Sequence, residues 1–361
     1  MWGCAMPITL AGKINIPCWR VLCAQDAAPL GQIHRACTLI FRLPQYKSMV
    51  TKKTSKPLMR RFVILILLFT AMFSSALWFR SSEPVVLFSE HPPKVIDTRM
   101  VREYQQALVL GSGGPRGFAH IGVLQVLEEA GYKPDLIVGT SMGAIIGAAL
   151  SAGRSAHEME RLALSPNWFN WIRDLTWSRH GWLQGRSVEN IVLSTHAARQ
   201  LENLPIQVVA VATGLPLGER VEFGYGDVVS AVRASSASPG MFVPVMIEGQ
   251  LLTDGDIVAP VAVATAKKLG ARKILAVDVS AFADTTPSVQ SMAVKWVEQD
   301  IRRRMLIDTE TQAADAVIHV KMDYYAGLWH DGRVTSIAAG RKAALAALPE
   351  LRRLGMIPPQ P

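Results

Sequence analysis

The sequence predicts an α/β fold, with helices on both faces of a largely parallel sheet. Three observations predict it. Short apolar runs that read as buried strands recur along the chain from Gln106 onward. Helical stretches separate them, and alternating strands and helices specify a three-layer α/β domain. Two strand-to-helix joints are built from glycine and other small residues, which lets the backbone turn sharply.

The elements follow in order. Residues 107–110 (Ala-Leu-Val-Leu) form the first strand. It runs into Gly111-Ser112-Gly113-Gly114-Pro115-Arg116-Gly117 and then a helix over 118–130, closed by Gly131 as its C′ residue. Residues 136–138 (Leu-Ile-Val) form the second strand. Gly139-Thr140-Ser141-Met142-Gly143 joins it to a small-residue helix over Met142–Ser151, ended by Gly153. Residues 207–212 form another strand. Residues 233–240 (RASSASPG) are a small-residue segment ending in a Pro-Gly turn. Gln250-Leu251-Leu252-Thr253 leads into Asp254-Gly255-Asp256 at the tip of a strand or hairpin. Residues 261–269 are helical, 273–279 and 316–322 are buried strands, and the last helix runs over about 336–354.

Composition limits the function classes. The 361 residues are 50% hydrophobic and 19% charged, as suits one large core. The net charge of +9 is confined to the N-terminal part. Residues 1–48 hold Lys13, Arg20, Arg35, Arg42 and Lys47 against Asp26, and residues 49–61 hold Lys52, Lys53, Lys56, Arg60 and Arg61. Residues 62–361 are neutral overall, which argues against a nucleic-acid footprint. All four cysteines (Cys4, Cys18, Cys23, Cys37) lie in residues 1–48, so the body holds no thiolate metal site or disulfide. No metal is expected.

The N-terminal part reads as three pieces. Residues 1–48 are expected to be a disordered upstream extension, with Met49 or Met59 as the start. Residues 49–80 carry the basic flank and a charge-free run, 62–79, that is near the lower length limit of a spanning helix. Ser74-Ser75-Ala76 offers small residues for signal-peptide cleavage. Signal peptide and uncleaved anchor both fit, and the basic flank keeps the N-terminal side in the cytoplasm. Either puts the body, 106–355, across the membrane. Residues 81–105, with Pro84, Pro92 and Pro93, read as a linker.

Two motifs carry chemistry. Gly139-Thr140-Ser141-Met142-Gly143 reads G-x-S-x-G: a serine on a turn so sharp that its hydroxyl stands clear, with glycines where a Cβ would clash. The glycine-rich loop 111–117 precedes a helix N-terminus, and its free N–H groups suit an anion, either a phosphate or a transient oxyanion. A P-loop needs Gly-Lys-Ser/Thr after the glycines, and this loop has Pro-Arg-Gly. A dinucleotide site needs an acidic residue at the end of the second strand, whereas Asp135 precedes it. An oxyanion hole for Ser141 remains. Arg116 reads as a clasp at the helix start.

The ordered set GSGGPRG, GTSMG, RASSASPG and DGD resembles the patatin-like phospholipases, most closely their bacterial members, over residues 107–354. The resemblance implies an α/β/α fold and a serine–aspartate dyad without histidine. Ser141 matches the nucleophile and Asp254 the general base. Gly111, Gly113, Gly114, Arg116 and Gly117 match the oxyanion motif, Gly139 and Gly143 the elbow, and Gly255 and Asp256 the aspartate motif. Two positions depart from the pattern. Ser112 stands where many members have glycine, and Asp256 replaces a small residue. Asp256 either raises the pKa of its neighbour or points to solvent, and solvent is the preferred reading.

The resemblance implies fatty-acyl ester hydrolysis without a cofactor, on a lipid or phospholipid substrate at a membrane surface of the bacterial cell envelope. Nucleotide and nucleic-acid partners are not expected. Phospholipase A, lysophospholipase, acylglycerol lipase, esterase and acyl transfer all fit. Two other classes compete: a non-catalytic lipid-binding module, and a Ser-Asp-His esterase using His319 or His330. His319, inside an apolar strand, reads as a satisfied core histidine, His120 as packed on its helix, and Asp278 as a loop cap. Residues 168–182 hold four of the nine tryptophans, which suit an acyl channel, a membrane interface or, as the preferred reading, core packing.

Overall fold

The computed structural model describes residues 66–67, 85–86, 91–97, 99–165, 174–176, 178–195, 199–280, 294–322 and 329–359. The chain divides into two units, Met1–Met72 and Phe73–Pro361. Of the first, Ile66 and Leu67 are described, both helical and exposed. The rest of the apolar run 62–79 and all of residues 1–48 lie outside the described residues. Among the described residues no helix is long and apolar enough to cross a membrane.

The second unit is built on a mixed, mostly parallel sheet. Its described strands are β1 (Val85–Val86), β2 (Lys94–Val95), β3 (Tyr104–Leu110), β4 (Leu136–Thr140), β5 (Gln207–Leu215), β6 (Glu219–Tyr225), β7 (Val245–Ile247), β8 (Gln250–Asp254), β9 (Ala271–Asp278) and β10 (Ala316–His319). They run in the order β1-β7-β8-β5-β4-β3-β9-β10, with β6 paired to β5 and β2 to β6. The central strands β5, β4, β3, β9 and β10 are parallel neighbours. The described helices are α1 (Ala119–Glu129), α2 (Met142–Ser151), α3 (Ala156–Leu164), α4 (Arg186–Thr195), α5 (Val228–Ser235), α6 (Val263–Lys268), α7 (Val294–Thr311) and α8 (His330–Arg353).

The three layers follow from the period-2 alternation of strand side chains. Leu108, Leu110, Ile137, Leu275 and Val277 face one core, shared with α1, α2, α3, α5 and α8. Ala107, Val109, Leu136, Val138, Ile274 and Ala276 face a second core, under α6 and Ile307 of α7. Strands buried on both faces need apolar residues at every position, which is why these runs do not alternate with polar residues. Gly131 (φ +76) and Gly153 (φ +87) end α1 and α2 in the left-handed conformation.

The structure differs from the sequence reading in several places. The RASS half of residues 233–240 is the end of helix α5, a helix that small residues hid. The last helix begins at His330. Residues 81–105 are not only connection: Val85 pairs with Val245 and Lys94 with Tyr225. Two-residue pairings flanked by prolines leave no periodicity to read.

Candidate active site

Strand β4 ends in a turn that no ordinary helix start would use. Ser141 has φ +56 and ψ −120 and caps the N-terminus of α2. A non-glycine residue there is strained, and strain persists only where surroundings enforce it. The enforcement is visible. The Ser141 N–H donates to Ser235 Oγ (2.9 Å), and Ser235 Oγ donates to the Val211 carbonyl (2.6 Å). The flanking glycines are steric necessities. A Cβ on Gly143 would overlap the Leu110 carbonyl, and one on Gly139 would meet the Ala144 backbone.

Sheet register brings Asp254 to this turn. On one edge of β5, Val211 pairs with Thr140, the last residue of β4, and Ala212 pairs with Asp254, the last residue of β8. The other edge belongs to β6. The parallel β4 and the antiparallel β8 therefore share one edge and point their C-terminal ends at each other. The Ser141 hydroxyl donates to Asp254 Oδ2 at 2.7 Å. Both residues are buried, at 7% and 2% exposure. Thr213 Oγ1 donates to the Asp254 carbonyl (2.7 Å) and fixes the strand end. Gly255 opens the following 3-10 turn.

Burial pushes the Asp254 carboxyl up to about 7, and the Asp256 carboxylate two residues on adds to the rise. The Asp256 N–H, donating to Asp254 Oδ1 at 2.9 Å, the Ser141 hydroxyl and the Arg303 guanidinium oppose it. Asp256 does not stand free in solvent, contrary to the preferred sequence reading. Its Oδ1 accepts from Arg303 Nε (2.6 Å) and from the Ser112 hydroxyl. Arg303 Nη2 also donates to the Ser112 carbonyl (2.7 Å). Burial lowers the Arg303 pKa and the contact with Asp256 outweighs it, so the guanidinium stays charged.

The glycine loop lies against the elbow. A Cβ on Gly117 would collide with the Met142 side chain, and one on Gly143 would approach the Gly111 carbonyl as well. The Gly111 N–H donates to Val277 (3.0 Å) and the Ser112 N–H to Pro260 (2.7 Å). Among the described residues no hydrogen-bond partner is found for the N–H of Gly113 or Gly114. Gly114 is exposed, with φ +51. Arg116 is half-buried in the turn behind it. His120 is fully buried beneath the loop, with Nε2 2.7 Å from the Gly111 carbonyl. Burial drives its pKa down to about 4. The neutral ring therefore carries its proton on Nε2 and supports the loop.

Other candidates are not brought to the serine. His319 lies on β10, three strands from β4, or about 14 Å at ~4.8 Å per strand. It is half-exposed rather than a core histidine, and its Nδ1 faces Asp278 Oδ2 at 3.1 Å. Asp278 also caps the turn at Ser280, as expected of it. His330 starts α8 beside Asp331. Asp135 accepts from the N–H groups of Gln105 and Gln106 (2.8 and 2.9 Å), at the opposite end of β4 from the glycine loop. Trp168, Trp171 and Trp177 lie outside the described residues, and Trp182 is 53% exposed. Sequence reading gave Ser235 no role although it lies in the RASSASPG motif, and it missed Arg303, which no motif marks. It also missed an apolar groove of about 300 Å³ between α2, α3 and α4. Phe118, Met142, Ile145, Ala149, Met159 and Ile191 line that groove, which opens beside the residue that follows Ser141.

Residues 108–267 match the family described as Patatin-like phospholipase. The chain is 36% identical over 217 residues to an uncharacterized NTE family protein of Mycobacterium bovis, covering 58% of this chain and 59% of that one. It is 34% identical over 190 residues to a lysophospholipase nte1 of Aspergillus fumigatus, covering 50% of this chain and 12% of that one. It thus spans only part of the curated relatives it matches. Among solved structures, VipD from Legionella pneumophila aligns over 73% of this chain and 71% of that one, at 12% identity and a TM-score of 0.42. Residues 108–267 of this chain thus carry a patatin-like phospholipase domain.

Proposed function

We propose that this chain is a serine acyl hydrolase that cleaves fatty-acyl esters of lipids or phospholipids. The observation that carries the proposal is the 2.7 Å hydrogen bond from the Ser141 hydroxyl to Asp254, whose carboxyl titrates near neutrality. A base poised near 7 accepts the serine proton without holding it too tightly. As Asp254 Oδ2 takes that proton, Ser141 Oγ bonds to the ester carbonyl carbon. The carbonyl π electrons move to oxygen, and collapse expels the alcohol, which receives the proton from Asp254. Water, deprotonated by Asp254, then releases the fatty acid from the acyl-enzyme and restores the hydroxyl.

The Gly113 and Gly114 N–H groups and the N-terminus of α2 supply partial positive charge to the tetrahedral oxyanion. The apolar groove beside Met142 takes the acyl chain. The relatives named lysophospholipase support a lipid ester as substrate. The basic flank and the run 62–79 support export or anchoring, with the body on the non-cytoplasmic side of a bacterial envelope. Protease digestion of intact spheroplasts checks this: a body that stays protected contradicts it.

Fatty-acid release from phospholipid vesicles tests the proposal. Wild type and His319→Ala release fatty acid, while Ser141→Ala and Asp254→Asn do not. A folded wild type that binds vesicles without releasing fatty acid favours the lipid-binding module. Loss of release in His319→Ala favours a triad.

A further inference from the structure

The glycine loop has few side chains of its own to hold its shape. Its chemistry nevertheless depends on the direction of one peptide plane, between Ser112 and Gly113. That peptide is planar and trans, so the Ser112 carbonyl and the Gly113 N–H point in opposite directions. Whatever fixes the carbonyl aims the N–H. With Gly113 and Gly114 in sequence, the backbone itself imposes little restraint.

One side chain from a distant helix fixes that carbonyl. Arg303, on α7 and 191 residues from Ser112, donates from Nη2 to the Ser112 carbonyl at 2.7 Å. Its Nε donates to Asp256 Oδ1 at 2.6 Å, and Asp256 accepts from the Ser112 hydroxyl. The guanidinium side chain is 11% exposed. A planar guanidinium held at two points cannot follow a turning peptide. Asp256 is also part of the turn that carries Asp254, so the clasp joins the base's turn to the glycine loop.

We propose that Arg303, anchored by Asp256, is the positioning residue of the oxyanion hole, holding the Ser112–Gly113 peptide so that the Gly113 N–H faces the reacting carbonyl oxygen. This inference rests on the acyl-hydrolase reading above. A peptide turned the other way would present the Ser112 carbonyl to the oxyanion and repel it. Arg303 itself touches neither substrate nor Ser141 in this account.

The test uses the full chain with p-nitrophenyl butyrate as substrate and an alkyl trifluoromethyl ketone, which forms a tetrahedral oxyanion on the serine. Read on the alkaline plateau, above the acid limb set by Asp254, Arg303→Met is expected to lower kcat by about 10²–10³-fold, the cost of one lost oxyanion donor. Ketone affinity should fall by the same factor and KM by less than about threefold, because substrate binding in the ground state does not use this N–H. Arg303→Lys, a single-point donor, should recover part of the loss. Arg302→Met, an exposed neighbour paired with Glu298, should behave as wild type. If Arg303→Met unfolds, Asp256→Asn carries the same comparison, since it loosens the anchor and leaves the arginine in place. Equal falls in kcat and ketone affinity support the inference. A loss of kcat without loss of ketone affinity, or a kcat within threefold of wild type, overturns it while leaving the hydrolase reading intact. A wild type inert toward both the ester and a fluorophosphonate overturns that reading and this inference together.

Discussion

At Asp254 two neighbours pull in opposite directions. Burial and the Asp256 carboxylate hold its pKa up at about 7, and Arg303 pulls it down. Only the ionised carboxylate accepts the Ser141 proton, so the hydrolytic rate constant kcat/KM is expected to fall as pH drops through about 7. An ordinary carboxylate would place that limb near 4. Removing the negative neighbour in Asp256→Asn should move the acid limb to lower pH, and removing the positive one in Arg303→Met should move it higher. A pH–rate profile of the three proteins on one ester checks both signs. Ser235 acts on the other side of the elbow. Ser235→Ala leaves the Ser141 N–H without its buried acceptor, and an orphaned buried donor costs about 1–3 kcal/mol. Urea unfolding should register that loss, and kcat should fall with little change in KM.

At the scale of elements, the site is a meeting of strand ends. β4 and β8 share one edge of β5 head to head, and neither strand alone forms a site. Helix α2 starts where they meet and packs so closely on the end of β3 that no side chain fits at its second residue. Gly143→Ala is therefore expected to destabilise the fold by about 3 kcal/mol, at the upper end of overpacking costs. A thermal melt of the purified variant measures it. The outer face of the same helix lines the apolar groove, with Ile145 half-buried in it. Ile145→Trp fills the groove. It should lower kcat/KM for long-chain p-nitrophenyl esters much more than for the acetate, whose chain is too short to enter. An equal loss on both would argue that the acyl chain lies elsewhere.

At the scale of the molecule, the legible part was the part coded locally. Leu108 to Leu110 and Leu136 to Val138 are apolar at every position because both sheet faces are covered, and that pattern survives in one dimension. Ser141 and Gly143 stand in a pentapeptide whose constraint is steric and local. The place of Asp254 beside Ser141 came only from resemblance, because the shared edge of β5 is a property of register across 113 residues. Arg303 was invisible for the same reason: one arginine on a helix has many possible partners, and nothing nearby marks Asp256 as the one chosen. Neither the dyad nor the clasp uses a metal, so EDTA is expected to leave hydrolysis unchanged. Loss of activity restored by calcium would contradict that. The most direct test of the central claim is intact-mass and peptide mapping after reaction with a fluorophosphonate. The account predicts one adduct, on Ser141, formed slowly or not at all in Asp254→Asn and at the wild-type rate in His319→Ala. An adduct on another serine, or undiminished labelling in Asp254→Asn, would contradict it.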